Sequence, residues 1–340
     1  MSLALVTGAT GFIGAHVAAD LLANGWRVRA LVRPESIDAA RWPAGCEPVP
    51  GDLLQPETVR RAADGADAIF HVGAFYSLAR RRSALVERTN VSGTGNVLAA
   101  AIGTGARLVH TSSVATVGIP RDGSPGDEDT PLDPRDVIGA YKRSKLASER
   151  MVLEAAAGGA WAVVVNPSAP VGPGDWKPTP TGRIVRDFLR GRMAAYVDTG
   201  LNLVDVRDVA AGHRLALERG RPGRRYVLGN QNMTLHEILG QLAAITGRPA
   251  PRHRVPHAVA IAFAGVDELV EGYALRREPI APLDGARMAR KRMFYSARRA
   301  VAELGMPQSP VAAALRDAVG WYEGAAAAAG ALPAATGAGG

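Results

Sequence analysis

Hydrophobic and polar positions in the first half of the chain follow two alternating patterns. Short apolar runs, the first of them at residues 3–7, are separated by longer stretches whose apolar residues recur at helical spacing. Buried apolar strands that alternate with helices are typical of a parallel sheet covered by helices on both faces. The pattern predicts strands at 3–7, 26–32, 68–72, 107–111 and 161–166, and helices at 12–23, 57–63, 84–102 and 138–157.

The second half begins with a proline-rich stretch at residues 167–182, which predicts a long loop. A further strand–helix unit is predicted at 201–219 and a last strand at 225–228, followed by helices at 234–246, 256–273 and 309–322. Because right-handed crossovers wind such strands into one sheet, we expect an α/β fold. It would be a Rossmann-type doubly wound parallel sheet with a smaller, mostly helical C-terminal substrate lobe. The predicted Rossmann domain comprises 1–168 and 198–230, the lobe comprises 169–197 and 231–323, and the small-residue tail 324–340 is predicted to be disordered.

Composition supports a globular chain and excludes several other classes. The 340 residues are 47% hydrophobic and 21% charged, and at about 100–200 residues per domain they suffice for two domains. The single cysteine, Cys46, excludes intrachain disulfides, and the histidines lack metal-ligand spacing, so no metal is predicted. The chain opens without a basic leader, and its longest apolar stretch, 258–266, is shorter than the roughly 20 residues that span a bilayer. These features predict a cytoplasmic location.

The net charge of +8 is carried mainly by scattered arginines, with modest clusters such as Arg80–Arg82. No aromatic residues are interleaved with them, so a nucleic-acid partner is not expected. The apolar stretch 258–266 has two interpretations that stay open: a buried lobe helix, or a wall for a lipid-like substrate with peripheral membrane contact aided by the basic clusters.

Three glycines, Gly8, Gly11 and Gly14, lie between the first predicted strand and the first predicted helix. In this setting glycine permits a tight turn, lets the backbone approach a pyrophosphate and lets the helix pack on the strand. The helix N-terminus adds free amide groups for the phosphates. The motif therefore predicts a dinucleotide site formed by Gly8, Thr10, Gly11, Phe12, Ile13 and Gly14.

The end of the second strand bears on the choice of dinucleotide. It carries Arg33 where NAD-binding proteins usually have an acidic residue that holds the ribose 2′-hydroxyl. Arg33 can pair with a 2′-phosphate, which favours NADP, while Glu35 just beyond keeps NAD as the alternative. Asp52, followed by Leu53, is predicted either to accept a hydrogen bond from the adenine amine or to cap its own loop.

The predicted helix at 138–157 begins with Tyr141 and Lys145, which share one face because they are four residues apart. A neighbouring positive charge favours the phenolate and is expected to lower the pKa of Tyr141. Proton exchange with an alcohol or carbonyl oxygen requires such a group while hydride moves to or from a nicotinamide. Ser112 and Ser113 end an apolar strand, where a hydroxyl can bond the same substrate oxygen. The predicted catalytic residues are therefore Ser113, Tyr141 and Lys145.

With its TGxxGxxG, SS and YxxxK motifs, the sequence resembles the extended short-chain dehydrogenase/reductases up to about Tyr322. The resemblance implies that Tyr141 is the catalytic acid/base and that Lys145 lowers its pKa and binds the nicotinamide ribose. It also implies that Ser113, or Ser112, polarises the substrate and that Asn90 braces the sheet near the active site. Tyr141 and Lys145 are thereby also expected to contact the cofactor. The other residues implied to line the cofactor are Val72, Gly73, Ala74, Asn90, Ser112, Asn166, Pro167 and Ser168.

Loops at 166–173, 177–185, 195–202 and 283–294 resemble those of the hopanoid-associated sugar epimerase group, also labelled dihydroflavonol-reductase-like. This resemblance implies a role in hopanoid lipid metabolism, acting on a side-chain sugar or polyol. It also suggests substrate contacts at Phe75, Arg183, Asn202 and Arg287.

One departure from the sugar-nucleotide epimerases and dehydratases concerns the residue before Gly118. That group typically has Tyr there, whereas this chain has Val117. The difference favours a net reductase, with an NAD-retaining epimerase or dehydratase as the first alternative. A non-catalytic dinucleotide sensor is the second alternative, against which the intact Ser, Tyr and Lys set argues. A homodimer through helices 84–102 and 138–157, as is common in the superfamily, is also expected.

Overall fold

The computed structural model describes residues 1–36, 42–274 and 283–330. Within these ranges the strands are β1 (Leu3–Thr7), β2 (Arg27–Val32), β3 (Cys46–Pro50), β4 (Ala68–His71), β5 (Arg107–Thr111), β6 (Ala162–Pro167), β7 (Ala169–Val171), β8 (Ala195–Val197), β9 (Gly200–Asp205), β10 (Arg225–Leu228), β11 (Gln231–Thr234), β12 (His253–Val255) and β13 (Arg292–Met293). The helices are α1 (Phe12–Ala23), α2 (Pro56–Ala63), α3 (Ser83–Glu87), α4 (Gly93–Thr104), α5 (Gly139–Ala157), α6 (Pro180–Leu189), α7 (Val206–Arg219), α8 (Leu235–Thr246), α9 (His257–Asp267), α10 (Leu283–Met288) and α11 (Val311–Gly330).

The described residues contain one large parallel sheet with the strand order β3-β2-β1-β4-β5-β6-β10. One apolar cluster covers one face through residues such as Val17, Leu21 and Leu215 of α1 and α7. A second cluster covers the other face through Val59 of α2, Val97 of α4 and further residues of α5. Because both faces are covered, the central strands β1, β4, β5 and β6 are buried along almost their whole length and are largely apolar. The predicted Rossmann-type doubly wound sheet is confirmed.

Strand β9 lies outside this sheet, although the sequence pattern groups residues 198–230 with the Rossmann domain. It pairs antiparallel with β11 and parallel with β7 and β13. Leu203 of β9 packs in a third apolar cluster with Val185, Leu239 and Leu315 of α6, α8 and α11. A short strand fits either sheet by its apolar pattern, and its pairing partners decide which one it joins. The C-terminal lobe is therefore helical around a small sheet.

Two predicted helices contain a π-helical turn. Residues 84–102 form α3 and α4 with a π-helical segment, Arg88–Ser92, between them, and α9 continues into a π-helical segment, Glu268–Ala274. Such segments insert one extra residue into a helix and often occur at functional sites. The first of them carries Asn90.

The end of the chain differs from its prediction in part. Helix α11 continues to Gly330, beyond the predicted start of the disordered tail at residue 324, because the Ala-rich run there favours a helix. Residues 331–340 of that tail lie outside the described residues. Among the described helices, none is both long and apolar enough to cross a lipid bilayer.

Candidate active site

The carboxyl edge of the large sheet brings the predicted motifs together. Since its strands are parallel, their carboxyl ends meet at one edge, and the strand order reverses there between β1 and β4. At this edge β1 leads into the glycine-rich turn, β4 into residues 72–76, β5 into Ser112 and Ser113, and β6 into residues 166–168.

The glycine-rich turn has no space for side chains at two of its three glycines. Gly8 has a φ of +74°, and a Cβ there would lie 2.6 Å from the Cα of Gly73 in the loop after β4. A Cβ on Gly14 would lie 2.1 Å from the Gly8 carbonyl oxygen. Gly11 is the N-cap of α1 and offers no side-chain cap, so the backbone amides of the first turn face outward to a ligand.

A dinucleotide fits the residues at this edge. The tight turn would supply the phosphate cradle, because α1 begins at Phe12 directly after it and the first amides of a helix have no partner inside the helix. Ser112 is 4% exposed, and its Oγ lacks a hydrogen-bond partner among the described protein groups. A buried hydroxyl without a partner is costly, and a ligand in the crevice would satisfy it.

The adenosine end of the predicted site holds the two residues that bear on cofactor choice. Arg33 and Glu35 form an exposed ion pair with 3.5 Å between Nη1 and Oε1. The carboxylate of Asp52 accepts a hydrogen bond from the Leu54 amide at 2.8 Å, so it caps its own loop, the alternative weighed from the sequence. Leu53 packs beneath Gly73, 3.3 Å from the position of a Cβ there.

Asn90 fixes the loop after β4 to the catalytic helix. Its Oδ1 accepts a hydrogen bond from the Phe75 amide at 2.8 Å, and its Nδ2 donates to the Phe75 carbonyl oxygen at 3.1 Å and to Ser144 Oγ at 3.0 Å. The side chain is 3% exposed. Asn90 thus joins the loop after β4 to helix α5, and the role that the resemblance implied, bracing the sheet, stays a prediction. It acts on the cofactor edge through the Phe75 main chain, since its own polar atoms are used within the protein.

His71 links the ends of β1 and β4 beneath the crevice. Its Nδ1 lies 2.8 Å from Thr7 Oγ1 and its Nε2 lies 3.0 Å from Thr94 Oγ1. Because the Thr94 hydroxyl donates to the Asn90 carbonyl oxygen, Nε2 carries the proton and Nδ1 accepts from Thr7. Burial, with a smaller effect from the Lys145 charge, lowers the pKa of His71 to about 3, so this ring stays neutral.

The three predicted catalytic side chains converge. The Tyr141 hydroxyl shares a hydrogen bond with Ser113, whose Oγ also accepts from the Ala115 amide at 3.1 Å. One turn further along α5, the Nζ of Lys145 donates to the Thr111 carbonyl oxygen at 2.8 Å. A strand end and the first turns of a helix therefore place a hydroxyl pair and an ammonium group at the same edge.

Burial dominates the ionisation of this set. It lowers the pKa of Lys145 to about 8, and the opposing effect of Glu149 is smaller. It also raises the pKa of Tyr141, against the smaller opposing effect of the Ser113 hydrogen bond. The prediction that Lys145 would lower the pKa of Tyr141 is wrong for this structure, because desolvation of the phenol prevails and the ammonium group is held by Thr111.

Glu149, which the sequence reasoning missed, connects the catalytic helix to β6 and β10. Its carboxylate accepts hydrogen bonds from Thr116 Oγ1 at 2.7 Å and from Asn166 Nδ2 at 2.8 Å, and it pairs with Arg225 at 2.9 Å. The predicted cofactor residue Asn166 also donates to the Ser113 carbonyl oxygen at 3.1 Å. Glu149 follows Lys145 by four residues, so helical spacing was the signal that could have identified it.

Tyr76 is a second residue that the sequence reasoning missed. Its ring meets that of Tyr141 edge to face, with 4.6 Å between centroids. Tyr76 is 37% exposed, and burial together with Tyr141 raises the pKa of its hydroxyl against a smaller opposing effect of the Arg183 charge. Arg183 of α6 is therefore close enough to Tyr76 for its charge to act on the phenol, and its contact with a substrate stays a prediction. Tyr76 could have been identified from the sequence because it directly follows Phe75, a predicted substrate contact.

Two predicted substrate contacts differ from the expectation. Asn202 is 1% exposed, and its Nδ2 donates to Asn232 Oδ1 at 2.8 Å and to the Tyr295 carbonyl oxygen at 3.0 Å. A substrate contact at Asn202 is therefore wrong, because the amide is used to hold the small sheet together. Arg287 is exposed on α10, 3.9 Å from Asp284, and its contact with a substrate stays a prediction.

Among the described residues, no cluster of three or more His, Cys, Asp or Glu is placed to hold a metal ion. The buried carboxylates of the region are held by partners, as Glu149 is by Arg225.

A comparison of the sequence with protein-family models decides the family. The model of the NAD dependent epimerase/dehydratase family matches residues 4–229, a range that contains the glycine-rich turn and all three predicted catalytic residues. The chain belongs to this family. It is an enzyme of the extended short-chain dehydrogenase/reductase type, whose members include reductases, dehydrogenases and epimerases.

Relatives of this family member match it over almost its whole length. A protein of Synechocystis sp., whose name assigns it provisionally as a dihydroflavonol 4-reductase, is 47% identical over 323 residues and covers 94% of each chain. Sterol demethylase protein B of Methylococcus capsulatus is 35% identical over 320 residues, which are 94% of this chain and 97% of its own. The crystal structure of gox2253 is 40% identical and superposes with a TM-score of 0.84 over 96% of this chain and 99% of its own.

Proposed function

We propose that this enzyme is an NADP-preferring reductase or dehydrogenase that transfers hydride at a carbonyl or secondary alcohol group of a polycyclic, lipid-like substrate. We place this activity in hopanoid lipid metabolism, which includes the metabolism of the side-chain sugar or polyol. The observation that carries the proposal is the Ser113–Tyr141 hydroxyl pair with Lys145 one helical turn away.

The residues of the chain divide the chemistry between them. When bound, the nicotinamide supplies or accepts the hydride. Ser113 would hold the substrate oxygen, and Tyr141 would exchange a proton with it. Because burial raises the pKa of Tyr141, its hydroxyl keeps its proton near neutral pH, which suits donation to the oxygen of a carbonyl that is being reduced. Lys145 would bind the nicotinamide ribose beside Tyr141.

The NADP preference rests on Arg33. Its pairing with Glu35 is exposed, with side-chain exposures of 60% and 64%, and such pairs contribute little stability. A 2′-phosphate offers the guanidinium a stronger, charge-assisted pair of hydrogen bonds, so exchange of Glu35 for the phosphate is favourable.

Replacing Arg33 by Ala tests the preference. We expect the KM for NADPH to rise about tenfold or more while the KM for NADH changes little, because only NADPH carries the 2′-phosphate. Arg27→Ala is the matched control, since Arg27 is equally exposed at 60% but sits at the opposite end of β2. Equal changes for both cofactors would contradict the assignment of Arg33.

The preference for a net reductase and a polycyclic substrate has separate support. Val117, which replaces the Tyr typical of sugar-nucleotide epimerases, is fully buried against Val227 and Tyr295. The relative named sterol demethylase protein B, and a 3-beta-hydroxysteroid dehydrogenase that is 29% identical over 88% of this chain, carry names that refer to polycyclic lipids.

Two measurements test the reaction and its pathway. Purified protein is denatured and the released nucleotide is identified; a stoichiometric amount of NAD would favour the NAD-retaining epimerase instead of a reductase that exchanges NADPH. Lipid extracts of cells with and without the gene are then compared for hopanoid side chains. Unchanged hopanoids would contradict the proposed pathway while leaving the reductase chemistry open to assay with ketone substrates.

A further inference from the structure

Helix α9 and the π-helical segment that continues it carry a row of large apolar side chains on the surface. The exposed fraction is 57% for Val259, 57% for Phe263, 62% for Val266, 66% for Leu269 and 45% for Val270. Four of them are spaced three or four residues apart, so they share one side of the helix. These five residues form the α9 face.

Helix α9 has the opposite arrangement to an ordinary surface helix, because its apolar side chains are exposed and its carboxylates are buried. Asp267 and Glu268 on its other side are 8% and 5% exposed. Glu268 accepts a hydrogen bond from the Leu283 amide at 3.0 Å and lies 3.9 Å from Arg80 Nε. Helices on proteins in water bury their apolar side and expose their charges. Here the carboxylates anchor the helix and the hydrocarbon side chains point outward, which marks an interaction surface.

Basic residues border the α9 face. Arg252 and Arg254 are exposed just before α9 begins, and Arg254 pairs with Asp198 at 2.9 Å. A second arginine cluster, with Arg80 and Arg81 exposed, is joined to the same helical segment through the ion pair of Arg80 with Glu268. An apolar helix side with exposed arginines in the adjoining segments is complementary to an anionic bilayer, whose acyl chains receive the apolar groups while its phosphates pair with the guanidinium groups.

The helix that carries the α9 face is also tied to the catalytic helix. Arg80 Nη2 lies 3.4 Å from Asp284 Oδ1 on α10. The other oxygen of Asp284 lies 2.8 Å from the position of a Cβ on Gly139, the first residue of α5. The α9 face therefore belongs to a part of the molecule that adjoins the start of the helix bearing Tyr141.

We propose that the α9 face docks into the surface of an anionic lipid bilayer. The enzyme would lie on the membrane with α9 in the plane of the headgroups. This docking does not depend on the reaction proposed above, so each can fail without the other.

The test uses the full chain and vesicles of phosphatidylcholine with about a third phosphatidylglycerol, compared with vesicles of phosphatidylcholine alone. We expect the protein to float with the anionic vesicles, and Phe263→Asp to reduce the bound fraction at least about tenfold. Ile102→Asp is the matched control, because Ile102 is 59% exposed on α4, away from the α9 face. Circular dichroism verifies that both variants are folded.

A second variant gives a gain of signal that misfolding cannot imitate. Phe263→Trp should show additional fluorescence quenching by brominated lipid, compared with the parent chain, if the side chain enters the acyl region. Two results would overturn the proposal. One is equal flotation of the Phe263→Asp and Ile102→Asp variants. The other is a homodimer, detected by light scattering, that Phe263→Asp converts to monomers, since a second copy would then cover the face.

Discussion

Replacing Lys145 by Met should abolish turnover and raise the stability of the protein, and the gain in stability should depend on pH. Burial lowers the pKa of this lysine from 10.5 to about 8, so its charged form is penalised in the folded protein. Between these two pKa values the unfolded chain holds a proton that the folded chain has lost. The free energy of unfolding of the parent protein therefore rises with pH across this window. The variant has no such group and should lack that part of the rise.

The two pKa values set the size of the effect. Between about pH 7 and about pH 9.5, these two pKa values correspond to an increase of about 2 kcal/mol in the free energy of unfolding of the parent protein. The variant also loses the hydrogen bond from Lys145 Nζ to the Thr111 carbonyl oxygen, which offsets part of its advantage at the lower pH. The difference between the two pH values is therefore the quantity to measure.

Urea unfolding of both proteins at the two pH values is the assay. The variant's advantage over the parent should shrink by about 2 kcal/mol as the pH rises, while its turnover is lost at both. Lys177→Met, which removes an exposed ammonium group, controls for the change in net charge. A stability difference between Lys145→Met and the parent that is the same at both pH values would refute the argument that burial sets the ionisation of Lys145.

Two further predictions concern the catalytic hydroxyl and the small sheet. Tyr141→Phe should lower kcat by at least about a thousandfold, because it removes the proton donor, and should change the Kd for NADPH in a fluorescence titration less than about threefold. Surviving turnover would show that another group moves the proton. Asn202→Ala should lower the free energy of unfolding by about 1–3 kcal/mol, because it leaves the Asn230 amide without its acceptor, Asn202 Oδ1. Normal stability with a raised substrate KM would instead restore Asn202 as a substrate contact.

The motifs of the site could be recognised in the sequence because each has a fixed local geometry. Gly8 and Gly14 are required by contacts inside one turn and with the next strand end, and this need is visible in the spacing of the glycines. Tyr141 and Lys145 share a helix face by their four-residue spacing. Parallel strands then deliver these local motifs to one edge of the sheet without further information.

Properties that depend on the surroundings of a side chain could not be predicted from the sequence. The pKa of Tyr141 follows from how deeply the phenol is buried, and the spacing to Lys145 carries no measure of that burial. Asn202 looked like a ligand contact from its loop, but the pairing of β9 with β11 turns its amide into the small sheet. The roles of Glu149 and Tyr76 likewise come from residues distant in the chain.

The order of apolar runs and glycines by itself determined the Rossmann-type sheet and the residues at its catalytic edge, because backbone geometry and hydrophobic burial act through local periodicity. Only the tertiary structure decided which strand joins which sheet, which polar groups are desolvated and which side of α9 faces outward. Those outcomes depend on long-range packing, in which a residue's partners lie far away in sequence and its exposure is set by the whole fold.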